Sequence, residues 1–216
     1  MTHDEPERLE PTPAQRRRER ERAAARESIL SAALDVARRD GWDAVTMRRL
    51  AEEIDYSANF AYRYFTGRDD ILLAWVREGF ARLRDAMATA GEHAGSAAAV
   101  RRAGHAYLDF ALANSDLYQL MYGLGGVRVP ATDTWDEGQA VGDVLTGLLG
   151  AAGDTRPEQH VLQLWATAHG LIALQVIGRV GVDPAGLHAL FEDALTDCLT
   201  RALPGPTPLG RTPDLA

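Results

Sequence analysis

The sequence predicts an all-α protein of about nine helices. Apolar residues recur at three- and four-residue spacing along most of the 216 residues, as at Ile29, Ala33 and Val36, and this is the period of a helix with one buried face. No stretch of strand length alternates apolar and polar residues. Hydrophobic residues make up 46 %, so a chain of this length can bury a substantial core.

Start and stop signals separate the helices. Gly41 is suited to end the first helix, and Thr46 is a good N-cap for the second. Asp69 and Asp70 lie in the favourable first turn of a long fourth helix. The expected helices are, in order, 15–40, 46–54, 58–64, one that begins near 69, 96–113, 115–123, 132–150, 157–179 and 185–202.

Composition and charge divide the chain into four segments. Residues 1–13 and 204–216 are polar and contain several prolines, and we expect both to be disordered tails. Residues 14–68 hold twelve arginines and nine acidic residues, a net charge of +3, whereas 69–216 hold ten arginines and eighteen acidic residues, a net charge of −8. This asymmetry is typical of a DNA-binding segment, 14–68, followed by a body, 69–203, that does not itself bind DNA.

Several classes of protein are disfavoured by the composition. The net charge of −8 argues against a protein that coats nucleic acid, and no apolar run approaches the ~20 residues of a membrane span. The first 30 residues lack an apolar secretion signal and Cys198 is the only cysteine, so we expect a cytoplasmic protein without an intrachain disulfide. Neither a metal-ligand spacing nor a nucleophile–base pair is evident, so we expect no metal, no cofactor and no enzyme activity.

Residues 46–64 carry the strongest functional pattern. Two short helices joined by a three-residue turn, 55–57, are typical of a helix-turn-helix. A second helix of only two turns is not stable alone, so its inner face must pack on the rest of the domain, for which Ala61 and Phe65 are suited. The outer face is then free to enter the major groove of DNA, where Asn59 can pair with adenine.

Residues 29–72, ILSAALDVARRDGWDAVTMRRLAEEIDYSANFAYRYFTGRDDIL, resemble the N-terminal domain of the tetracycline-repressor (TetR) family of bacterial transcriptional regulators. The similarity lies in the glycine exit of the first helix, in T-x-R-x-L-A, in S-x-x-x-x-Y-R-Y-F and in the acidic start of the fourth helix. Asp55 stands where the turn usually has glycine, and Ala58-Asn59 stand where Lys-Gly is common. Aspartate tolerates a left-handed backbone, so we expect the same fold with a different base preference.

The resemblance implies roles for individual residues. Tyr62, Tyr64 and Arg68 match positions that touch phosphates, and Thr46 matches a contact to the DNA backbone. The implied DNA-binding residues are Thr46, Arg48, Ser57, Ala58, Asn59, Phe60, Tyr62, Arg63, Tyr64 and Arg68.

Other interpretations of these residues remain open. Phe60, Tyr62 and Tyr64 are also compatible with packing in a core, and Arg48 with an ordinary solvated surface position. The run QRRRERERAAAR, 15–26, is compatible with an arm that binds the minor groove or phosphates, and equally with a solvated helix start.

The body resembles the C-terminal domain type named for its Trp, His and Gly, here Trp165, His169 and Gly170. The resemblance lies in HAYLDFALANSDLYQLMYG, 105–123, and LWATAHGLIALQVIG, 164–178. In that family the C-terminal helices hold a ligand pocket and a dimer interface. The candidate ligand-binding residues, for each of which ordinary core packing is the alternative, are Trp75, Phe80, His105, Tyr107, Phe110, Tyr118, Met121, Tyr122, Trp135, Trp165 and His169.

The patterns together predict a ligand-responsive transcriptional regulator, a repressor that binds a palindromic operator and is released by a small, mostly apolar effector. Two long apolar helices, 157–179 and 185–202, suit a four-helix interface, and palindrome spacing also favours a homodimer. The alternatives are an architectural or partner-binding protein with the same DNA-binding domain and no ligand, and an all-α enzyme in which the helix-turn-helix pattern is accidental.

Overall fold

A computed structural model describes residues 12–92 and 96–203 of the chain. Within these ranges the protein has nine α-helices, two one-turn 3-10 helices and no strand, so the predicted all-α class is confirmed. The predicted tails, 1–13 and 204–216, fall outside the described residues except at positions 12 and 13. The helices are α1 (Pro13–Asp40), α2 (Met47–Glu53), α3 (Ala58–Ala61), α4 (Arg68–Gly91), α5 (Ser96–Ala113), α6 (Ser115–Tyr122), α7 (Trp135–Ala151), α8 (Pro157–Val176) and α9 (Pro184–Ala202).

Helix α1 begins two residues earlier than the sequence pattern indicated because its start is capped. The Thr12 hydroxyl accepts a hydrogen bond from the Gln15 amide at 3.3 Å, and the Gln15 side chain accepts one from the Thr12 amide at 2.7 Å. Pro13 occupies the first helical position, which has no need of an N–H donor. At the other end Gly41 has a φ of +82°, a conformation that favours glycine.

The chain divides into two compact units, with the boundary between Leu72 and Leu73. In the first unit α1 packs against α2 and against a 3-10 turn at Trp42–Ala44, and α2 packs against α3. The core of this unit consists of apolar side chains from all of these elements, among them Ile29, Ala33, Val36, Trp42, Val45, Leu50, Ala61 and Phe65.

In the second unit α5 packs against α7 and α9, and α8 packs against the same two helices. The later part of α4 approaches α6 closely at Gly79, where an added Cβ would lie 2.6 Å from the Met121 sulfur. The corner between α7 and α8 is closed by a buried pair, in which His160 Nδ1 lies 2.7 Å from an Asp154 oxygen. The other Asp154 oxygen accepts from the Arg156 amide at 2.9 Å.

Helix α3 is shorter than the predicted 58–64. The amides of Arg63 and Tyr64 donate to carbonyls three residues back, those of Phe60 and Ala61, at 3.1 and 3.0 Å. Because i→i−3 bonds wind the backbone more tightly than an α-helix, the last turn of the predicted recognition helix leaves the α conformation after Ala61.

Candidate nucleic-acid interface and effector site

Helix α2 is fixed at its start and presents its outer face to solvent. Thr46 caps it, since its hydroxyl accepts from the Arg49 amide at 3.2 Å. Leu50 and Ala51 are buried in the first unit. The Arg48 side chain points outward with 87 % of its surface exposed, and it lies 3.4 Å from Glu52 one turn away. An exposed pair of this kind contributes little to stability, so the guanidinium is available to another partner.

The turn between α2 and α3 depends on Asp55. Its φ of +56° is the only positive φ of a non-glycine residue in the described ranges. The Asp55 amide donates to the Glu52 carbonyl at 3.3 Å, and the Tyr56 amide donates to the Ala51 carbonyl at 2.9 Å. Aspartate therefore adopts the left-handed backbone expected where the resembled turn has glycine.

Helix α3 separates a buried face from an exposed one. Ala61 and Phe65 are buried, as the helix-turn-helix pattern predicted. Asn59 is exposed, and Tyr62 has 54 % of its surface exposed. Thr46 and Ser57 are exposed as well, and the side chain of Ala58 is not described. We call the exposed side chains Thr46, Arg48, Ser57, Asn59 and Tyr62 the recognition set.

Three aromatic rings follow one another beside the recognition set. The Tyr56 and Phe60 rings stack with centroids 4.0 Å apart and an interplanar angle of 14°, and Phe60 and Tyr64 are 5.1 Å apart. Tyr56 is 56 % exposed. Tyr56 is not among the DNA-binding residues predicted from sequence, although the i, i+4, i+8 spacing of the three aromatics signals a shared face.

The two arginines predicted near the end of this segment have different surroundings. The Arg63 side chain is exposed, and its guanidinium carbon lies 5.9 Å from the Phe60 centroid and 5.8 Å from that of Tyr64. Arg68 donates to the backbone carbonyl of Val45 at 2.9 Å and to that of Trp42 at 3.1 Å. Arg68 thus ties the 3-10 turn to the start of α4, which is a structural role that the sequence did not indicate.

In the second unit five of the predicted effector residues form one hydrogen-bonded network. The Trp165 Nε1–H donates to the Tyr107 hydroxyl at 3.1 Å, and Tyr107 donates to Tyr122 at 3.3 Å. Tyr107 and Tyr118 are 2.8 Å apart, and Tyr118 is 2.8 Å from His169 Nδ1. We call these five residues the tyrosine network.

The order of donors in the tyrosine network follows from one bond. Because the Tyr107 proton goes to Tyr122, the Tyr107 oxygen accepts from Tyr118, and Tyr118 accepts from an Nδ1–H of His169. The network ends at Tyr122, whose own O–H has no acceptor among the described side chains. A ligand with a hydrogen-bond acceptor could therefore extend the network at Tyr122.

Burial keeps the network uncharged. It raises the pKa of Tyr107, Tyr118 and Tyr122 well above the ordinary tyrosine value, so their hydroxyls stay protonated. Burial also lowers the pKa of His169, which favours the neutral imidazole. The site therefore suits a neutral, mostly apolar molecule better than an ion.

The other predicted effector residues differ in placement. Phe80 packs edge-on against Tyr122 with centroids 5.7 Å apart, and so adjoins the network. Trp75, Phe110 and Met121 are buried in the same unit. Trp135 is 67 % exposed at the start of α7, so this structure does not place it in a buried site.

His105 lies in a separate cluster between α5 and α9. Its Nδ1 faces the Nδ1 of His188 at 3.0 Å, and its Nε2 lies 2.7 Å from Glu192. The Nε2 of His188 lies 2.9 Å from Asp109. Burial, and then the proximity of His188, lower the pKa of His105. Neither in this cluster nor elsewhere among the described residues are three or more His, Cys, Asp or Glu side chains arranged so that they could hold a metal ion.

The solvent side of α8 and α9 carries an apolar surface. Leu162 and Ile177 are 59 % and 60 % exposed, and Leu174 and Leu190 are also exposed. In α8 the buried residues, Leu164 and Ile172 among them, lie on the opposite face. No helix of the described ranges is long and apolar enough to cross a membrane.

Two family models match the chain. The model of "Bacterial regulatory proteins, tetR family" matches residues 29–75, and that of "Tetracyclin repressor-like, C-terminal domain" matches residues 100–198. Together with the helix-turn-helix and the all-α body, these matches define a DNA-binding transcriptional regulator. The chain belongs to the TetR family. No curated protein sequence matches it.

Solved structures share the whole fold. A protein of unknown function from Rhodococcus sp. RHA1 is 28 % identical with a TM-score of 0.71, and the match covers 83 % of this chain and 96 % of that one. The putative regulatory protein SCO4313 is 24 % identical with a TM-score of 0.70, over 84 % and 98 %. The fatty acid degradation regulator FadR from Bacillus halodurans is 14 % identical with a TM-score of 0.65, over 88 % and 97 %. At identities this low the last two likenesses show the fold alone.

Proposed function

We propose that the protein is a ligand-responsive repressor that binds a palindromic operator as a homodimer and leaves it when a small, mostly apolar effector binds. It acts in the cytoplasm, where the operator lies. The observation that carries the proposal is the division of α3 into a buried face, Ala61 and Phe65, and an exposed face with Asn59 and Tyr62. A helix anchored on one side and polar on the other is suited to the major groove.

The recognition set supplies the chemistry of both kinds of DNA contact. Asn59 can form a bidentate pair with adenine, and Arg48 can do so with guanine. The Tyr62 hydroxyl and the Thr46 hydroxyl are suited to phosphate oxygens. The Phe60 edge, held by its stack on Tyr56, is suited to a thymine methyl group.

The homodimer is supported by the apolar surface on α8 and α9. Monomeric proteins seldom leave several large aliphatic side chains of one helix pair in water, and Leu162, Leu174 and Ile177 are all exposed. A second copy of the same surface would cover them in a self-complementary interface. A dimer also presents two copies of α3 to two half-sites.

The effector site is supported by the tyrosine network. Its hydroxyls are kept neutral by burial, and Tyr122 has an O–H that no described side chain accepts. An effector with an apolar body and one carbonyl or hydroxyl oxygen would accept a hydrogen bond from that donor, and few of its polar groups would have to leave water. The effector can shift the equilibrium between the DNA-binding and DNA-free states only by the difference between its binding free energies for those two states.

Mobility shift with the DNA upstream of the protein's own gene, at stated salt, tests the operator proposal. Asn59→Ala is expected to weaken binding by about 1–3 kcal/mol through loss of a base contact. Tyr62→Phe is expected to weaken it a few-fold through loss of a phosphate bond. Arg38→Ala, an exposed arginine outside the recognition set, is the control. Wild-type affinity in both Asn59 and Tyr62 variants would refute the assignment.

Thermal shift across a panel of apolar metabolites tests the effector proposal. A ligand at a hundred times its Kd is expected to stabilise the protein by about 2.7 kcal/mol and to release the DNA. Tyr122→Phe is expected to reduce both effects, whereas Trp135→Phe, at an exposed position outside the network, is not. DNA binding without any ligand response would favour the architectural or partner-binding alternative.

A further inference from the structure

The arginine-rich start of α1 and the end of the α3 segment enclose an open groove of about 480 Å³. Its lining consists of three arginines, one glutamate and one tyrosine: Arg18, Glu21, Arg22, Arg63 and Tyr64. Tyr64 and Arg63 directly follow the recognition set along the chain. The groove therefore extends from the candidate DNA contact toward α1, within the same compact unit.

The arginines of α1 converge because of their spacing. Arg18, Arg22 and Arg26 are four residues apart and form one stripe along the helix. The Arg26 guanidinium lies 4.4 Å above the Phe65 ring, and this contact holds the stripe against the end of the α3 segment. Its Nη1 is buried and reaches no hydrogen-bond partner within residues 12–92 and 96–203. The base of the stripe thus has one guanidinium donor that no described group accepts.

The charge of the groove is poorly compensated. Its single carboxylate, Glu21, lies 3.5 Å from Arg17, which is outside the lining. Among the described residues no carboxylate forms an ion pair with Arg18, Arg22 or Arg63. Three guanidinium groups with free donors around one concave surface are suited to an oxyanion such as a phosphate.

The geometry of residues 15–26 bears on both of their interpretations, an arm that binds the minor groove or phosphates and a solvated helix start. The segment is an α-helix capped at Thr12, and with side chains a helix is about 10–12 Å wide. The minor groove of B-DNA is only about 6 Å wide, so this segment cannot enter it as an arm. A solvated helix start, in turn, does not explain why two of its arginines line one groove with Arg63 and Tyr64.

We propose that this groove binds the phosphate backbone of the operator, so that α1 forms a second, sequence-independent contact of the DNA-binding unit. The proposal rests on the proposed operator binding. Arg18 and Arg22 contact backbone phosphates from α1, and Arg63 with the Tyr64 hydroxyl contacts them from the α3 side. The contact adds affinity and fixes the register of α3 without reading bases.

The test uses the full chain and a duplex that the wild-type protein enriches from a random-sequence library. Arg18→Ala and Arg22→Ala are compared with Arg20→Ala, which lies ~200° around the helix from both and carries the same charge. Affinities are measured across a range of salt concentrations. Each lost phosphate contact is expected to reduce the slope of log K against log[salt] by about 0.9, hence by about 1.8 in a dimer.

The groove assignment is supported if the Arg18 and Arg22 variants show the reduced salt slope while Arg20→Ala keeps the wild-type slope. The Arg18 and Arg22 variants must also enrich the same sequence as the wild type and melt at the wild-type temperature. Equal slopes in all three variants would overturn the groove and leave operator binding standing. A changed enriched sequence in the Arg18 variant would also overturn it, because a phosphate contact reads no bases. A wild-type protein that enriches no duplex overturns operator binding itself, and the groove with it.

Discussion

The backbone conformation of Asp55 sets the geometry of the turn between α2 and α3. A left-handed φ costs an L-residue about 1–2 kcal/mol, of which a short polar side chain recovers part by local hydrogen bonding. The φ of +56° at Asp55 is held by the hydrogen bonds of its own amide and of the Tyr56 amide. The turn therefore carries a small strain that the packing of α2 and α3 sustains.

Substitutions at Asp55 are expected to follow backbone preference. Asp55→Gly should keep or raise the free energy of unfolding, because glycine adopts this φ without steric cost. Asp55→Val should lower it by about 1–2 kcal/mol and weaken DNA binding, since a β-branched residue resists the left-handed region. Urea unfolding measures the first effect, with Asp55→Asn as the matched control. A valine variant as stable as the wild type would contradict the account.

Single residues were predictable where their role is local. Thr46 as a cap and Ala61 and Phe65 as buried anchors follow from helix starts and helical spacing. The engagement of Arg68 was not predictable, because its partners are backbone carbonyls of Trp42 and Val45, which are presented only once a 3-10 turn has formed. Partners distant in sequence leave no periodic signal.

At the scale of elements, the corner between α7 and α8 depends on one buried hydrogen-bonded pair, Asp154 and His160. Burial by itself raises the pKa of Asp154, but the Arg156 amide and His160 outweigh it, so its pKa is lowered overall. A carboxyl whose pKa is lower in the folded state than in the unfolded state stabilises the fold at pH values above its unfolded pKa of about 3.9. This contribution is lost as the pH falls through the pKa of the folded state.

Asp154→Ala is expected to destabilise the protein by about 1–3 kcal/mol, because it leaves the His160 ring and the Arg156 amide without their hydrogen-bond acceptor. The effect should be largest near neutral pH and should shrink as the pH falls below about 4. Thermal unfolding as a function of pH measures it, and the exposed Asp136→Ala, on α7 itself, is the control. Equal losses in the two variants would show that the pair does not hold the corner.

Helix α8 shows why the buried face of a helix was harder to predict than the presence of the helix. The start at Pro157 was found from sequence, and the end is three residues from the expected one. In contrast, Leu162, Trp165, His169 and Ile172 recur at three- and four-residue spacing along α8, yet Leu162 is exposed and Ile172 is buried. A helix that is apolar nearly all round has no period to orient it.

At the scale of the whole molecule, the exposed apolar surface of α8 and α9 is expected to set the oligomeric state. Leu162→Glu and Ile177→Glu should each convert a dimer to monomers, because burying an unpaired carboxylate costs several kcal/mol. Sedimentation velocity measures the change. Trp135→Glu, an equally exposed apolar residue outside this surface, should stay dimeric, and a monomeric wild type would refute the interface.

Stability is expected to fall in mild acid. Burial is the main cause that lowers the pKa of both His105 and His169 below the unfolded value of about 6.5. As the pH falls below that value the unfolded state takes up protons that the folded state refuses, so the free energy of unfolding falls until the folded values are reached. The expected slope is at most about 1.4 kcal/mol per pH unit for each histidine.

Urea unfolding at a fixed protein concentration, between about pH 7.5 and pH 5.5, measures this slope. His169→Gln should remove part of it and leave the share due to His105. Asp154 does not contribute in this window, because its lowered pKa places its titration at more acidic pH. A wild-type midpoint that does not change with pH would contradict the expectation.

The hydrogen bond of Trp165 makes the intrinsic fluorescence of the protein sensitive to changes in the tyrosine network. Of the four tryptophans, Trp42 and Trp75 are buried and Trp135 is largely in water, whereas Trp165 has a hydrogen bond within the tyrosine network. The Trp165 indole both donates to Tyr107 and reaches the solvent side of α8. Any molecule that rearranges Tyr107 changes the surroundings of that indole, so its fluorescence offers a label-free screen for the effector.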